Sequence, residues 1–167
     1  PQIMRKSGVR YFFTTKLSWN DTNIFPHDTF WWEGLDGSRV FTHFNATHCE
    51  PDPETLLRYT VGNDDSTFTQ ESKDKHVSRR KLIAYGYGDG GGGPQFEHLE
   101  LVRREHDLDG CPRTAHRSVG EFAEEMERNA HDVPVHVGEL YLELHRGTLT
   151  NRHEIKRNNR KGEVPLH

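Results

Sequence analysis

The chain has 167 residues, of which 32% are hydrophobic and 29% charged, and its 22 basic and 26 acidic residues give a net charge of −4. This length suffices for one domain with a hydrophobic core, while the scattered basic residues exclude a nucleic-acid surface or an anionic membrane surface as the expected partner. No apolar run is long enough to span a bilayer and the amino terminus lacks the apolar core of a signal peptide, so the sequence predicts a soluble protein in a reducing setting, without a membrane partner.

The first half of the chain predicts two strands that flank a long aromatic loop. PQIMRKSG has the pattern of a helix end capped at Gly8, and VRYFFTT, which follows at once, has the composition of a strand. A chain that opens inside a helix is expected to be a piece of a longer protein. The loop runs from Lys16 to Val40, an Asp36–Gly37 turn precedes the strand RVFTHFN, and Asp52 is placed to cap a helix over DPETLLRY.

The second half alternates extended and helical patterns. Residues 62–80 are polar and predict a mobile excursion ending in a short helix or turn, and a strand is expected over Lys81–Tyr87. Helices are predicted after Pro94, over SVGEFAEEMERNA with its capping box of Ser118 and Glu121, and over the tail HEIKRNNRKGE, while VHVGELYLELHRGTLT is extended. This alternation predicts an α/β fold with a mostly parallel sheet.

The stretch YGYGDGGGGP places Asp89 beside four consecutive glycines, between a predicted strand and a predicted helix. Glycine loses the most conformational entropy on folding, so such a run indicates that another group must approach the backbone closely. The carboxyl end of a strand is also where α/β folds collect catalytic residues. Two alternatives stay open, a phosphate-binding loop and an ordinary flexible turn. A phosphate-binding loop would have Lys-Ser or Lys-Thr after the glycines, and this sequence has neither there.

The predicted loop of the first half is rich in aromatic residues, with polar residues between them. Its aromatic members include Trp19, Phe25, Phe30, Trp31 and Trp32. Its polar members include Asn20, Asp21, His27, Asp28 and Glu33. Flat aromatic faces stack on sugar rings and polar side chains bind hydroxyl groups, so this mixture suits a carbohydrate pocket. Burial of the aromatic rings in the core is the alternative explanation.

A further polar segment, GELYLELHRGT, contains Glu139, Glu143, His145 and Arg146. In an extended conformation alternate residues share a face, and so polar a face either meets solvent or lines a cleft. The spacing of His43, His48 and Cys49 matches no closed zinc pattern, so these three are interpreted as ordinary loop residues.

Three long stretches of the chain resemble, in this order, the α-mannosidases of glycoside hydrolase family 38, of the cytosolic and bacterial type. They are PQIMRKSGVRYFFTTKLSWNDTNIFPHDTFWWEGLDGSRVFTHF, AYGYGDGGGGP and GELYLELHRGTLT. The resemblance extends over almost the whole chain and is weakest between Asn45 and Arg80. It implies part of the catalytic domain of a retaining, metal-dependent, exo-acting enzyme that hydrolyses terminal α-linked mannose. The implied fold is an incomplete β/α barrel with mostly parallel strands, leading into the start of a helical bundle.

The resemblance also implies a domain organisation and partners. Residues 1–150 correspond to a partial catalytic domain and residues 151–167 to the start of the helical domain. The zinc ligands and the aspartate nucleophile of the family are expected outside this sequence, so the fragment is expected to be inactive, with zinc or another divalent metal bound only in the longer protein. A mannose-containing oligosaccharide is the implied partner, and the parent is compatible with a homo-oligomer. A non-catalytic carbohydrate-binding module is the alternative function.

Residue by residue, the resemblance assigns the general acid/base position to Asp89. Gly90 stands where some relatives have a second Asp, so Asp89 either protonates the leaving group or holds a sugar hydroxyl, and the glycines around it are expected to let the sugar approach. Lys16 falls where relatives carry a basic residue near the nucleophile, which implies electrostatic support. The other implied sugar-binding residues are Asn20, His27, Trp31, Glu33, Glu143, His145 and Arg146.

Overall fold

The computed structural model describes residues 1–61, 72–88, 92–144 and 153–166. Residues 62–71 of the predicted excursion and the predicted site residues Asp89, His145 and Arg146 lie outside these ranges. The other predicted site residues are all within the described part of the chain.

Helices and strands alternate along the chain. In the first half they are α1 (Gln2–Lys6), β1 (Tyr11–Thr14), a 3-10 helix (Lys16–Trp19), β2 (Thr29–Glu33), β3 (Arg39–Phe44), β4 (Ala46–Cys49) and α2 (Pro53–Val61). In the second half they are β5 (Ile83–Tyr85), α3 (Phe96–Glu105), α4 (Val119–Asn129), β6 (Val135–Val137), α5 (His153–Glu163) and a 3-10 helix (Val164–Leu166). Among the described residues, no helix has both the length and the apolar character needed to cross a membrane.

The described strands form two sheets. The larger has the order β1-β3-β2-β6, with β1 parallel to β3, β3 antiparallel to β2, and β2 parallel to β6. The smaller pairs β4 with β5 in parallel. The predicted α/β class with mostly parallel strands is therefore confirmed. These strands do not establish the implied barrel, which stays an expectation.

Strand β2 lies in the segment that the sequence predicts as a loop. It pairs with β3 from Thr29–His43 to Glu33–Arg39, and the predicted turn at Gly37, whose φ is +79°, joins the two strands. Side chains of β2 pack on both faces of the sheet, Phe30 on one and Trp31 on the other. A strand that is covered on both sides shows no alternation of polar and apolar residues, which is why its sequence pattern is missed.

The two faces of the larger sheet carry separate hydrophobic clusters. The buried members are Leu17, Phe30 and Phe44 on the first face, where Phe25, Trp32 and Leu142 pack against them, and Phe41, Phe122 and Met126 on the second. Helix α4 supplies Phe122 and Met126 of the second cluster, so its predicted apolar stripe is core packing. Val119, at the first residue of α4, is the exception and is 53% exposed.

Local capping signals are confirmed at two helices. The Asp52 carboxylate accepts the Thr55 N–H at 2.7 Å at the start of α2, and Ser118 and Glu121 form the predicted capping box of α4. The predicted strand over Lys81–Tyr87 is shorter than expected, because ladder pairing covers only β5.

Candidate functional site

The glycine loop leaves the sheet through a narrow neck, formed by Gly86, Tyr87, Gly92, Gly93 and Pro94. Gly86 follows β5 with a φ of +106°, a conformation that residues with a Cβ rarely adopt. The Tyr87 N–H donates to the Gly93 carbonyl oxygen at 3.1 Å, so the two ends of the loop are joined. A Cβ at Gly86 would lie 2.6 Å from the Pro94 nitrogen, so only glycine fits there.

Gly92, at the other end of the loop, also lies against the neck backbone. A Cβ there would lie 2.4 Å from the Tyr87 carbonyl oxygen and 2.7 Å from the Tyr87 Cβ, whereas a Cβ at Gly93 would meet no atom within 4 Å. From the sequence, the glycines are expected to admit a sugar. At Gly86 and Gly92 the structure gives a different reason, which is the close approach of two backbone segments at the neck.

Replacing Gly92 by alanine should therefore lower the free energy of unfolding by about 1–3 kcal/mol, the usual cost of overpacking. The matched control is Gly93→Ala, which has room for the methyl group and should be neutral or stabilising by about 0.4–1 kcal/mol. Urea unfolding of the two variants measures the difference. Equal stabilities would show that the neck is not closed as described.

Aromatic and imidazole rings surround the neck. The Tyr85 hydroxyl lies 2.5 Å from His116 Nε2, and the Tyr87 ring meets the His98 ring edge-on with centroids 5.2 Å apart. His98 is buried at the start of α3, where its Nδ1 accepts the Gln95 N–H. The neck is thus anchored to α3, while Tyr87 remains 60% exposed beside the loop that contains Asp89 in sequence.

A buried polar network joins the start of β2 to the segment before β5. The Asp28 carboxylate accepts a hydrogen bond from Lys81 Nζ at 2.9 Å, and these side chains are 6% and 5% exposed. Asp28 also accepts the backbone N–H groups of Lys73 and Asp74, each at 3.2 Å. Asp74 in turn accepts the N–H of Asp28 at 2.7 Å and that of Thr29 at 3.0 Å. The two carboxylates therefore crosslink segments that are distant in sequence.

His43, in β3, extends this network into the core. Its Nε2 accepts the Leu82 N–H at 3.3 Å, and its Nδ1 lies 3.0 Å from the Thr29 hydroxyl oxygen. Because a backbone N–H can only donate, Nε2 carries no proton and Nδ1–H donates to Thr29. The Thr29 hydroxyl in turn faces Asp28 at 3.4 Å. His43 is thus a core strand residue with both nitrogens engaged, which confirms its place in the predicted strand RVFTHFN and not its interpretation as a loop residue.

Burial and charge determine the protonation states in the network. Burial, together with the positive charge of Lys81, lowers the pKa of His43 to about 3, so the ring is neutral near pH 7. Burial by itself would raise the pKa of Asp28, but the Lys81 ammonium outweighs it and the net shift is downward. The network therefore contains one buried ion pair and a neutral imidazole.

From the sequence, Asp74 falls in the predicted mobile excursion. Within the described residues 72–80 the turn expected at the end of that excursion is present, because the Asp74 carbonyl oxygen accepts the N–H groups of Val77 and Ser78, and Asp74 is 3% exposed. Asp28 and Lys81 each stand directly before an apolar stretch, TFWW and LIAY. A charged residue directly before an apolar stretch is the sequence signal that could have indicated the buried pair.

A second set of hydrogen bonds closes the aromatic loop onto residues 141–143. Asn20 donates from Nδ2 to the Tyr141 carbonyl oxygen at 2.9 Å and accepts the Glu143 N–H at 3.0 Å. The Glu143 carboxylate accepts the N–H groups of Thr22 and Asn23, both at 2.9 Å. The hydrogen bond from Thr22, followed by those from Asn23, lowers the pKa of Glu143 below its usual range. We call these five residues the Asn20–Glu143 clasp.

The clasp contains Asn20 and Glu143, which the resemblance assigns to sugar binding. Their hydrogen bonds in the clasp are to other residues of the chain. Glu139 and Tyr141 are exposed while Glu143 is buried, and residues 138–144 do not continue strand β6. The expectation that alternate residues of this segment share one face stays a prediction. Sugar contact by Asn20 and Glu143 stays a prediction.

Lys16 and His27 lie near the first hydrophobic cluster. The Lys16 ammonium sits 5.3 Å from the centre of the Trp19 ring. His27 Nδ1 lies 3.1 Å from the Asp74 carboxylate, and its side chain is 31% exposed. His27 is thus attached to the buried network but still reaches the surface, while the roles proposed for both residues at a sugar stay predictions.

Trp31 and Glu33 belong to the opposite face of the sheet. Trp31 packs edge-on against Phe41 in the cluster formed with α4, with ring centroids 5.2 Å apart. Glu33, two residues further along β2, shares that face and accepts a hydrogen bond from Arg39 Nε at 2.5 Å. The sheet therefore separates these two predicted sugar-binding residues from the Asn20–Glu143 clasp, and their roles at a sugar stay predictions.

The implied divalent metal can be tested against the side chains present. Among the described residues, no three histidine, cysteine, aspartate or glutamate side chains are placed to hold a metal ion together. Asp28, Asp74 and His43 do converge, but protein donors and acceptors engage them. The described residues therefore do not form a site for this metal by themselves.

The structure thus shows an α/β domain in which a loop with a glycine neck follows the end of β5. The family described as Glycosyl hydrolases family 38 N-terminal domain matches residues 1–139. The chain therefore belongs to glycosyl hydrolase family 38.

Relatives match over all of the chain. It is 42% identical over 170 residues to Alpha-mannosidase 2C1 of Homo sapiens and 41% identical over 170 residues to that of Mus musculus. It is also 37% identical over 176 residues to Alpha-mannosidase of Saccharomyces cerevisiae. In each case the match covers 100% of this chain and 16% of the relative, so the chain spans a small part of the length of these proteins.

Proposed function

We propose that the protein carrying this chain is an α-mannosidase that removes terminal α-linked mannose from oligosaccharides. The observation that carries the proposal is family membership over residues 1–139, together with 37–42% identity to proteins named as α-mannosidases. A cytoplasmic location, which the resemblance implies, is part of this proposal.

The proposed reaction retains the configuration at the anomeric carbon and needs two carboxyl groups. One attacks the anomeric carbon while the other donates a proton to the departing oxygen. Asp89 is the proposed donor, because the resemblance assigns it that position and because it follows the neck at the end of β5. The neck supports this role by joining both ends of the loop to the same point of the sheet.

A divalent metal, which the resemblance implies to be zinc, belongs to the proposal for the longer protein. Such an ion holds and polarises sugar oxygens when bound. The described residues contain no group of three histidine, cysteine, aspartate or glutamate side chains that could hold it. The proposed contribution of this chain is the proton donor and the sheet from which its loop emerges.

The test uses the whole protein that carries this chain. We expect hydrolysis of 4-nitrophenyl α-mannoside and not of the β-anomer, with α-mannose as the first product in proton NMR. Release of mannose from the non-reducing end of a mannose oligosaccharide, one unit at a time, tests exo action. A first product of β configuration would contradict retention, and the absence of hydrolysis would contradict the function.

In the same protein, Asp89→Asn should lower kcat/KM on α-mannobiose by about 100-fold or more, because the amide cannot protonate the leaving oxygen. The matched control is Asp107→Asn, which removes a carboxylate from an exposed ion pair with Arg113 and should leave turnover unchanged. A carbohydrate-binding module would instead bind mannose oligosaccharides without cleaving them. Unchanged turnover in Asp89→Asn would remove Asp89 from the reaction.

A further inference from the structure

The buried network binds the residues that directly precede β5. Lys81 is held through its ammonium to Asp28, and the Leu82 N–H donates to His43 Nε2. The Leu82 carbonyl oxygen accepts the Ala46 N–H at 3.0 Å, at the start of β4. The Lys81 side chain and both backbone polar groups of Leu82 are therefore held in place directly before β5 begins.

These contacts also join the two sheets. His43 and Thr29 belong to β3 and β2 of the larger sheet, whereas Leu82 leads into the smaller sheet of β4 and β5. The network thus sets where β5 begins relative to the larger sheet. Strand β5 is short, and the neck follows it immediately at Gly86. Displacement at Lys81 or Leu82 is therefore transmitted to the neck with little intervening chain to absorb it.

The network consists of charged and polar residues, which suits it better to fixing the position of β5 than to stabilising the fold. Removing an ammonium and a carboxylate from water costs several kcal/mol each, and apolar pairs of similar volume are often as stabilising. A shift within a buried ion pair that has additional hydrogen bonds leaves a charge or a donor unpaired, which disfavours other arrangements. Lys81, Asp28, Thr29 and His43 form such a connected set.

We propose that Asp28, Thr29, His43 and Lys81 are positioning residues for proton donation, acting through the start of β5 and the neck on the loop that contains Asp89. This inference rests on the proposed function. In the step concerned, an enzyme carboxylate forms a bond to the anomeric carbon as the carbon–oxygen bond of the leaving group breaks. The electron pair of that bond goes to the departing oxygen, which takes the proton of the donor.

The dependence on the leaving group separates positioning from stability. An alkyl oxygen, as in α-mannobiose, needs the proton, whereas 2,4-dinitrophenolate leaves without one. Both substrates are measured as kcat/KM, which reports steps up to the first irreversible one, and their ratio does not depend on the fraction of enzyme that is folded. A residue that only stabilises the fold lowers both values equally and leaves this ratio unchanged.

In the whole protein, Lys81→Met should raise the ratio of kcat/KM for dinitrophenyl α-mannoside over α-mannobiose by about 10-fold to 100-fold, the effect expected of a small misplacement. Thr29→Val, which removes one hydroxyl with little change of shape, should raise the ratio by about 10-fold. This variant tests the positioning role if Lys81→Met does not fold. The control Lys75→Met, at an exposed lysine near the network, should leave the ratio unchanged.

Asp89→Asn serves as the reference and should raise the same ratio further. A ratio unchanged in Lys81→Met and in Thr29→Val, with Asp89→Asn still raised, overturns the positioning role and leaves the proposed function intact. A ratio unchanged in Asp89→Asn removes Asp89 as the proton donor, and with it the positioning role, while continued hydrolysis of the α-mannoside leaves the proposed function standing.

Discussion

Replacing Asp28 by asparagine should lower the free energy of unfolding by about 3–5 kcal/mol, the cost of leaving a buried charge without its partner. Lys81 would then be an ammonium that is 5% exposed and faces a neutral amide. The asparagine NH₂ group would in addition oppose either Lys81 Nζ or the Asp74 N–H, since both are donors to Asp28. The measurement is urea unfolding of the variant and of the unmodified chain near pH 7.

The matched control is Asp107→Asn, in which the partner Arg113 is 84% exposed and remains hydrated. An exposed pair of this kind contributes about 0–1 kcal/mol, so the control should barely change the unfolding curve. A double variant, Asp28→Asn with Lys81→Met, removes both charges and should recover part of the lost stability. If Asp28→Asn and Asp107→Asn proved equally mild, the ion pair would not be buried.

His43 should make stability depend on pH. Its pKa of about 3 in the folded protein lies below the ordinary value of 6.5, so in mildly acidic solution the unfolded chain binds a proton that the native ring does not. The contribution is fully present above about pH 6.5 and is lost as the pH falls, at about 1.4 kcal/mol per pH unit until about pH 3. Between pH 6.5 and 4.5, the loss amounts to about 2–3 kcal/mol.

His43→Gln tests this pH dependence, because glutamine has a donor and an acceptor but does not titrate. Unfolding free energies at about pH 6.5, 5.5 and 4.5 should fall less steeply for the variant than for the unmodified chain. His76→Gln, at an exposed histidine, controls for the substitution itself. Asp28 does not interfere between pH 6.5 and 4.5. Its pKa is lowered, so its carboxylate takes up a proton, and its contribution to stability is lost, only at more acid pH. Parallel curves for His43→Gln and the unmodified chain would refute the neutral buried imidazole.

The neck and the network give two separate explanations for residues that are otherwise puzzling in this sequence. Gly86 and Gly92 are needed where two backbone segments nearly touch. The buried Asp28–Lys81 pair is needed where two sheets meet. The neck and Lys81 stand close to Asp89 in sequence, so damage to either feature is expected to affect the proposed chemistry as well as the fold.

By itself, the sequence determined the features that depend on neighbouring residues. Helices α2 and α4 were predictable because their caps, Asp52 and Ser118 with Glu121, act within one turn. The long motifs sufficed to indicate glycosyl hydrolase family 38, to which the chain belongs.

Only the tertiary structure decided the features in which distant segments meet. Strand β2 was missed because both of its faces are covered, so its pattern carries no alternation. Asp74 was placed in a mobile segment because its partners, Asp28 and Thr29, lie some 45 residues away in sequence. A charge is stabilised inside a protein by whichever groups the fold brings to it, and local sequence holds no record of them. For the same reason the clasp of Asn20 with Glu143 became visible only when the aromatic loop was seen against the segment after β6.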